Sequence, residues 1–316
     1  MEKYKKIVSF LPSATEILFE IGLGQNVYGV THECTFPAEA LKKSVVIRPV
    51  VDFDSMSGLE IDQKIKDLYL RNQPIFSLDE KLIKEIQPDL LISQNLCSVC
   101  APFENEIVKA NKVLNYKPKN LILNPINLKD IFGSIIIMGN EIGNLENAIK
   151  LRDKLDSRIH EIQTILESTV IKENTNNLPR IMCLDWINPF YLAGHWVPDM
   201  VSTSGGLPVG TINGGMDSRQ ITLPEIEKIN PDKIVITPCG YDLKRTQSEY
   251  EHIDSSRGRS LKAYKDDQIY LVDSNSYFSK PSPRIVTGIE ILCRILHPDL
   301  FGYLATMDDS FLVADR

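Results

Sequence analysis

The chain lacks long apolar runs. Its most apolar stretch, IFGSIIIMG around Ile135, falls well short of the ~20 residues that span a bilayer, so no transmembrane helix is expected. A secretion leader is also missing from the N-terminal residues MEKYKKIVSFLPSATEIL. Lys3, Lys5 and Lys6 precede only a short apolar stretch cut by Pro12, with no small-residue cleavage site, and the expectation is a cytoplasmic protein unless the true start lies upstream. Excess basic charge is absent too: the formal net charge is -7 and no local basic patch stands out, which argues against nucleic acid or an anionic membrane as partner. With Gly 17 and Pro 18 in 316 residues, neither a collagenous nor a low-complexity chain fits. Cys 6 is too few for a disulfide scaffold, and without a leader the thiols are expected to be reduced. There is no HExxH, no GxGxxG and no Ser-His-Asp set with a nucleophile elbow, so hydrolase and dehydrogenase readings lose most of their weight. Gly214-Gly215 and Arg219 lack the Lys-Ser/Thr of a phosphate loop and read as a turn before a Thr222 to Glu225 capping box.

What is present is an alternation of strands and helices. IVSF leads to Pro12 and a helix whose Ser13-Ala-Thr-Glu16 has capping-box spacing and whose end is marked by Gly22 and Gly24. NVYGVT leads into His32-Glu33-Cys34, and DLLISQ into Leu96-Cys97-Ser98-Val99-Cys100. Such alternation predicts α/β lobes with parallel sheets. The second half repeats the first: KEIQPDLLISQ aligns with EKINPDKIVIT at an offset of 143, matching Pro88 with Pro231 and Asp89 with Asp232. Each half also opens on a strand, IVSF or RIMCLDW. The reading is two Rossmann-like lobes, residues 1–125 and 178–316, joined by linking helices over 126–177. In the linker, Ile149, Leu151, Leu155, Ile159, Ile162 and Leu166 form the apolar face of one long helix from Leu145 to Ser168.

In parallel α/β sheets ligands sit beyond the carboxyl ends of the strands. His32, Glu33, Cys34, Cys97, Cys100, Trp186, Cys239, Tyr241, Tyr277 and Phe278 all fall at such ends, while Tyr191, His195 and Trp196 approach the first helix of the second lobe. Cys34, Cys97, Cys100 and Cys239 form a candidate set for zinc or an iron-sulfur cluster, since thiolates are usual ligands for both. The alternatives for Cys97 and Cys100 are buried structural thiols, or a dithiol redox pair at the start of the helix Glu104 to Leu114. His32 and His195 equally fit turn histidines bonded to backbone. Cys183 and Cys293 lie in apolar elements and read as core.

Five segments carry a family resemblance: IVSFLPSATEILFEIGLGQNVYGVTHECTFP, EIQPDLLISQNLCSVCA, LAGHWVPDMVSTSGG, INPDKIVITPCGYDL and IYLVDSNSYFSKPSPRIVTGIEILCRILHP. Together they resemble the cobalamin-binding branch of the helical-backbone (class III) substrate-binding proteins of ABC transporters, and in particular unexported members with THEC, LCxVC and PCG. The resemblance implies two lobes on a long backbone helix and a non-catalytic protein that closes on cobalamin or another corrinoid in the cleft between them. Trp186, Phe190, Tyr191, Trp196, Tyr241, Tyr277 and Phe278 would then lie against the ring, with His32, Cys34, Cys97 or His195 near the cobalt and Glu33 also among the ligand-binding residues. The alternative for these aromatics is packing under loops. An ABC permease is implied as partner if the protein is exported, with Glu16, Glu20 and Asp199 as docking points or as ordinary solvated helix positions. The runner-up function is a metal- or iron-sulfur-binding protein or a dithiol redox enzyme built on the four cysteines.

Overall fold

The computed structural model describes residues 3–94, 102–171, 178–210, 214–252, 259–304 and 311–314. The chain divides into two compact units: Met1–Met56, Glu60–Pro125 and Lys129–Lys154 in the first, Ser57–Leu59, Ile126–Leu128 and Leu155–Arg316 in the second.

The first ten elements are β1 (Ile7–Ser9), α1 (Pro12–Glu20), β2 (Val27–Thr31), β3 (Ser44–Pro49), α2 (Gly58–Leu70), β4 (Phe76–Leu78), α3 (Glu80–Ile86), β5 (Leu90–Ser93), α4 (Pro102–Val113) and β6 (Lys119–Ile122). Their strands form one six-stranded sheet in the order β4-β3-β2-β1-β5-β6. Val8 and Phe10, two residues apart and so on one face, pack with Ile83, Leu91, Ile107 and Ala110. Helix α1 starts without the expected capping box. Leu11 is its N-cap, with no side-chain bond, and Pro12 supplies the preset φ of a first turn. Ser13, Thr15 and Glu16 are all buried instead. The helix ends as expected at Gly22, where φ is 84°.

Two helices follow, α5 (Leu128–Ile142) and α6 (Leu145–Leu166), separated by Gly143 at a φ of 80°. The buried stripe of α6 is Ala148, Leu151, Leu155, Ile159, Ile162 and Leu166; Ile149, counted in the apolar face, is instead exposed. Regular α geometry stops at Leu166, and Glu167–Ile171 forms a wider π turn. The division into units falls inside α6. In the first unit Asn144 and Asn147 donate to Ile21 O at 2.8 and 3.3 Å. In the second, Arg158 clamps Glu290.

The remaining elements are β7 (Arg180–Ile187), β8 (Phe190–Leu192), α7 (Val197–Thr203), β9 (Leu207–Pro208), β10 (Arg219–Gln220), α8 (Leu223–Ile229), β11 (Lys233–Ile236), α9 (Leu243–Glu251), α10 (Lys262–Lys265), β12 (Ile269–Val272), α11 (Ser274–Tyr277), α12 (Ile285–Leu296), α13 (Pro298–Phe301) and β13 (Phe311–Val313). The main path of this second sheet runs β10-β8-β7-β11-β12-β13, with β9 pairing β7. Met182 and Leu184, Ile234 and Ile236, and Ile269 and Leu271 alternate onto one face of its central strands and share a core with Ile226 of α8. The capping box at Thr222 and Glu225 is present.

The sheets are mixed rather than wholly parallel. β3 pairs β4, β7 pairs β8, β8 pairs β10 and β12 pairs β13, each antiparallel. Between β7 and β8 the reason is local: two residues, Asn188 and Pro189, can turn a hairpin but cannot make the crossover that parallel strands need.

The repeat is also visible in the backbone. Gln87 and Asn230 both end their helices in the left-handed region, at φ 52° and 45°. Asp89 N–H then donates to Lys6 O at 3.0 Å, and Asp232 N–H to Arg180 O at 2.9 Å. The carboxylates return the bond: Asp89 accepts from Lys5 and Lys6 N–H, and Asp232 from Arg180 N–H. Each Pro-Asp turn thereby pins the start of the lobe's first strand to the strand that follows the turn.

Candidate functional site

In the first unit the central strands end on hydroxyls, Ser9, Thr31 and Ser93, all buried. His32 follows β2, its N–H donating to Ile47 O at 3.1 Å and its ring 5.8 Å from that of Phe76. It is half-buried, and its Nδ1 is sealed from solvent with no hydrogen-bond partner among the described residues; the same holds for Ser93 Oγ. Glu33 is half-buried, its N–H donating to Thr31 Oγ1. Cys34 is 3% exposed, with its Sγ 3.2 Å from Thr15 Oγ1 and 3.4 Å from Thr31 Oγ1. That thiol is seated between two threonine hydroxyls in the interior. Cys97 and Cys100 lie outside the described residues.

In the second unit Trp186 stands at the end of β7, half-buried, its Nε1 donating to Gly58 O at 3.1 Å. Glu249 Oε1 accepts from Gly58 N–H at 2.9 Å. The ring of Tyr241 lies 5.1 Å from that of Trp186 at a tilt of 58°, and the Arg245 guanidinium sits 4.2 Å from its centroid. Tyr241 is 4% exposed and its hydroxyl has no hydrogen-bond partner among the described residues. Burial pushes that phenol up to about 12, with the Arg245 charge pulling the other way. Tyr191 is half-buried on β8, opposite Trp186 in the ladder. Tyr277, also half-buried, closes α11 with Arg284 5.9 Å from its ring.

His195 is held in the left-handed region at φ 52° by the backbone of the turn at Gly215 and Met216. Its N–H donates to Met216 O at 2.6 Å and its O accepts from Gly215 N–H at 2.8 Å. Its Nδ1 is buried without a hydrogen-bond partner among the described residues, 3.9 Å from Asp217 Oδ1. A non-glycine residue at positive φ is uncommon, and here two backbone bonds enforce it.

Two of the aromatic candidates are interior. Trp196 is 5% exposed with its Nε1 donating to Phe278 O at 2.7 Å, and Phe278 is 1% exposed. Neither presents a face to a ligand, because each packs beneath the edge it was expected to line. Cys239, by contrast, is exposed after β11, its N–H donating to Asp185 O. Cys183 and Cys293 are buried as expected, and burial, with Asp185 nearby, pushes the Cys183 thiol up to about 12. Among the described residues no three or more His, Cys, Asp or Glu side chains are grouped to hold a metal ion. The expected acidic docking points also change character: Glu16 is 2% exposed, Asp199 Oδ2 accepts from Leu128 N–H at the start of α5, and Glu20 alone of the three is exposed.

Some residues at the edge were missed from sequence. Ser218 donates a short hydrogen bond to Asp185 Oδ2 and accepts from Gly194 N–H, tying the residue before β10 to the end of β7. Ser93 could have been found as the last residue of DLLIS; Ser218 had no local signal.

Residues 7–276 match the model of the periplasmic binding protein family. An ABC transporter substrate-binding lipoprotein of Bacillus subtilis, YvrC, is 24% identical over 306 residues, covering 94% of this chain and 81% of that protein. The vitamin B12 binding protein BtuF of Vibrio cholerae has the same fold at a TM-score of 0.66 and 18% identity, covering 93% of this chain and 96% of its own. A periplasmic heme binding protein of Pseudomonas aeruginosa does so at 0.68 and 13% identity, with 94% of each chain covered. No described helix is long and apolar enough to cross a membrane. The family match and the lipoprotein relative point away from a cytoplasmic location and overturn that expectation. Its premise fails physically as well. Lys3 and Tyr4 donate to Glu141 within the folded unit, so the lysine-rich start is part of the domain and carries no information on export. The argument for permanently reduced thiols goes with it.

Proposed function

Because the chain belongs to the periplasmic binding protein family, the non-catalytic substrate-binding proteins of ABC transporters, we propose that it binds cobalamin or a related corrinoid at the carboxyl ends of its strands. One observation carries the reading. Among the buried polar atoms with no hydrogen-bond partner among the described residues, His32 Nδ1 and Ser93 Oγ in the first unit and His195 Nδ1 and Tyr241 Oη in the second lie at or just beyond strand carboxyl ends. A buried polar atom left unpaired costs about 1–3 kcal/mol, a cost that a ligand with its own donors and acceptors removes. The amide-bearing rim of a corrin is such a ligand, and the half-exposed rings of Trp186, Tyr191 and Tyr277 suit its flat apolar faces. His32 and His195 carry imidazoles that could replace an axial ligand on cobalt. The resemblance of the five sequence segments supports the corrinoid over other flat ligands, while the fold itself is shared with a vitamin B12 binding protein and with a heme binding protein alike. A transporter permease is the partner that accompanies this reading.

The test is a visible-spectrum titration of the purified protein with aquocobalamin, cobinamide and, in parallel, hemin. The proposal expects saturable shifts of the corrin bands at one equivalent. No corrin shift at about 1 mM ligand, or binding of hemin alone, overturns it.

A further inference from the structure

Strand β12 is paired on both sides, with β11 in parallel and with the C-terminal strand β13 in antiparallel. Tyr270 faces Val313, Leu271 faces Leu312 and Val272 faces Phe311. Ala314 N–H donates to Ile269 O at 2.9 Å. Since hydrogen-bonded pairs alternate along an antiparallel ladder, Leu271 and Leu312 form the next such pair. Phe311 anchors the strand, its ring 6.1 Å from that of Tyr270 and 5.4 Å from the Arg294 guanidinium.

Immediately after β12 comes the segment 273–279, which organises much of the second unit's candidate edge. Asp273 Oδ1 accepts from Ser276 N–H and starts α11, which ends at Tyr277. Asn275 N–H donates to Tyr241 O at 2.8 Å, and Gly240 N–H donates to Ser279 Oγ at 3.0 Å. Ser274 Oγ donates to Thr237 O, and Phe278 O accepts from the Trp196 indole.

We infer that β13 is a positioning element for this edge: by pairing Phe311 and Leu312 with Val272 and Leu271 it fixes the end of β12, and through it the segment that sets Tyr241 and Tyr277. The inference rests on the reading of the strand ends as the ligand edge. An edge strand opens more readily than a strand paired on both sides, so losing β13 should loosen the segment that β12 feeds.

The experiment uses the full chain with Leu312→Pro, which removes the N–H of the hydrogen-bonded pair at a residue 37% exposed, and Leu312→Ile, which keeps it. Amide exchange without ligand is expected to be about tenfold faster over 269–279 in Leu312→Pro and at wild-type rates in Leu312→Ile. Aquocobalamin binding should weaken about fivefold or more in Leu312→Pro alone. Ile226→Val, in the core of the same unit, controls for general loss of stability and should leave exchange over 273–279 unchanged. Wild-type exchange over 269–279 in Leu312→Pro, or the same acceleration in Ile226→Val, overturns the inference. If the wild-type chain binds no corrinoid, the functional reading fails, and the exchange data alone still decide the role of β13.

Discussion

Arg158 and Glu290 offer a quantitative test of how the last part of α6, from Leu155 on, is held within the second unit. The guanidinium meets both carboxylate oxygens, Nε at 2.8 Å and Nη2 at 2.6 Å, and Nη2 also donates to Thr287 Oγ1 at 3.0 Å. The side chains are 31% and 11% exposed, so the pair is partly dehydrated. Arg158→Met removes the cation and leaves Glu290 as a nearly buried, uncompensated charge. Breaking a buried pair costs ~3–5 kcal/mol, and the water that reaches Arg158 places this one lower, at about 2–3 kcal/mol. Replacing both residues, as Arg158→Met with Glu290→Leu, removes the stranded charge and should bring stability back to within about 1 kcal/mol of wild type. Urea unfolding at pH 7 reads the cycle through its midpoints at constant slope. A single variant within about 0.5 kcal/mol of wild type, or a double variant as unstable as the single, would refute the claim that this pair clamps the helix.

His297 titrates below its ordinary value, chiefly because burial disfavours its charged form, with Gly205 O 3.3 Å from Nε2. The unfolded chain therefore takes up the proton first. Stability should be full above about pH 6.5 and fall as pH drops below it, a slope that urea midpoints at several pH values should show reduced in His297→Gln. Maleimide with peptide-level mass spectrometry should label exposed Cys239 in the native protein and leave Cys34, Cys183 and Cys293 untouched until unfolding; labelling of Cys34 at the rate of Cys239 would refute its interior seat. The two tryptophans should separate in function. Trp196→Phe loses the bond to Phe278 O and about 1–2 kcal/mol in thermal unfolding with little change in corrinoid affinity, whereas Trp186→Ala should weaken corrinoid binding at least about tenfold.

Much of this architecture is written in local sequence, because local rules decide it. The Pro-Asp turns are legible since a left-handed Gln87 or Asn230 and a following proline must end a helix, and the carboxylate then has backbone N–H groups to cap. The short apolar runs LLIS and KIVI, each following its Pro-Asp turn, mark β5 and β11 as buried strands. The start of α1 misleads because Ser13-Ala-Thr-Glu16 has capping-box spacing, while Pro12 alone suffices to begin the helix and tertiary packing takes the side chains inside. Exposure at the strand ends is harder still. Trp186 and Trp196 look alike in sequence; the indole of one finds Phe278 O in the core and that of the other Gly58 O near the surface, and only the folded chain distinguishes them. Cys34 is decided by Thr15, which lies 19 residues earlier. β13 is three residues long and pairs with a strand some 40 positions away, so neither length nor periodicity announces it.

The most direct measurement of the central claim is equilibrium dialysis of the protein against cyanocobalamin, comparing wild type with Trp186→Ala, Tyr277→Ala and, as a surface control, Glu20→Ala. The account predicts retention of one cyanocobalamin per chain with a Kd of about 1 μM or tighter, lost or at least tenfold weaker in the two strand-end variants and unchanged in Glu20→Ala. Wild-type protein that retains no cyanocobalamin, or strand-end variants that retain it as tightly as wild type, would contradict it.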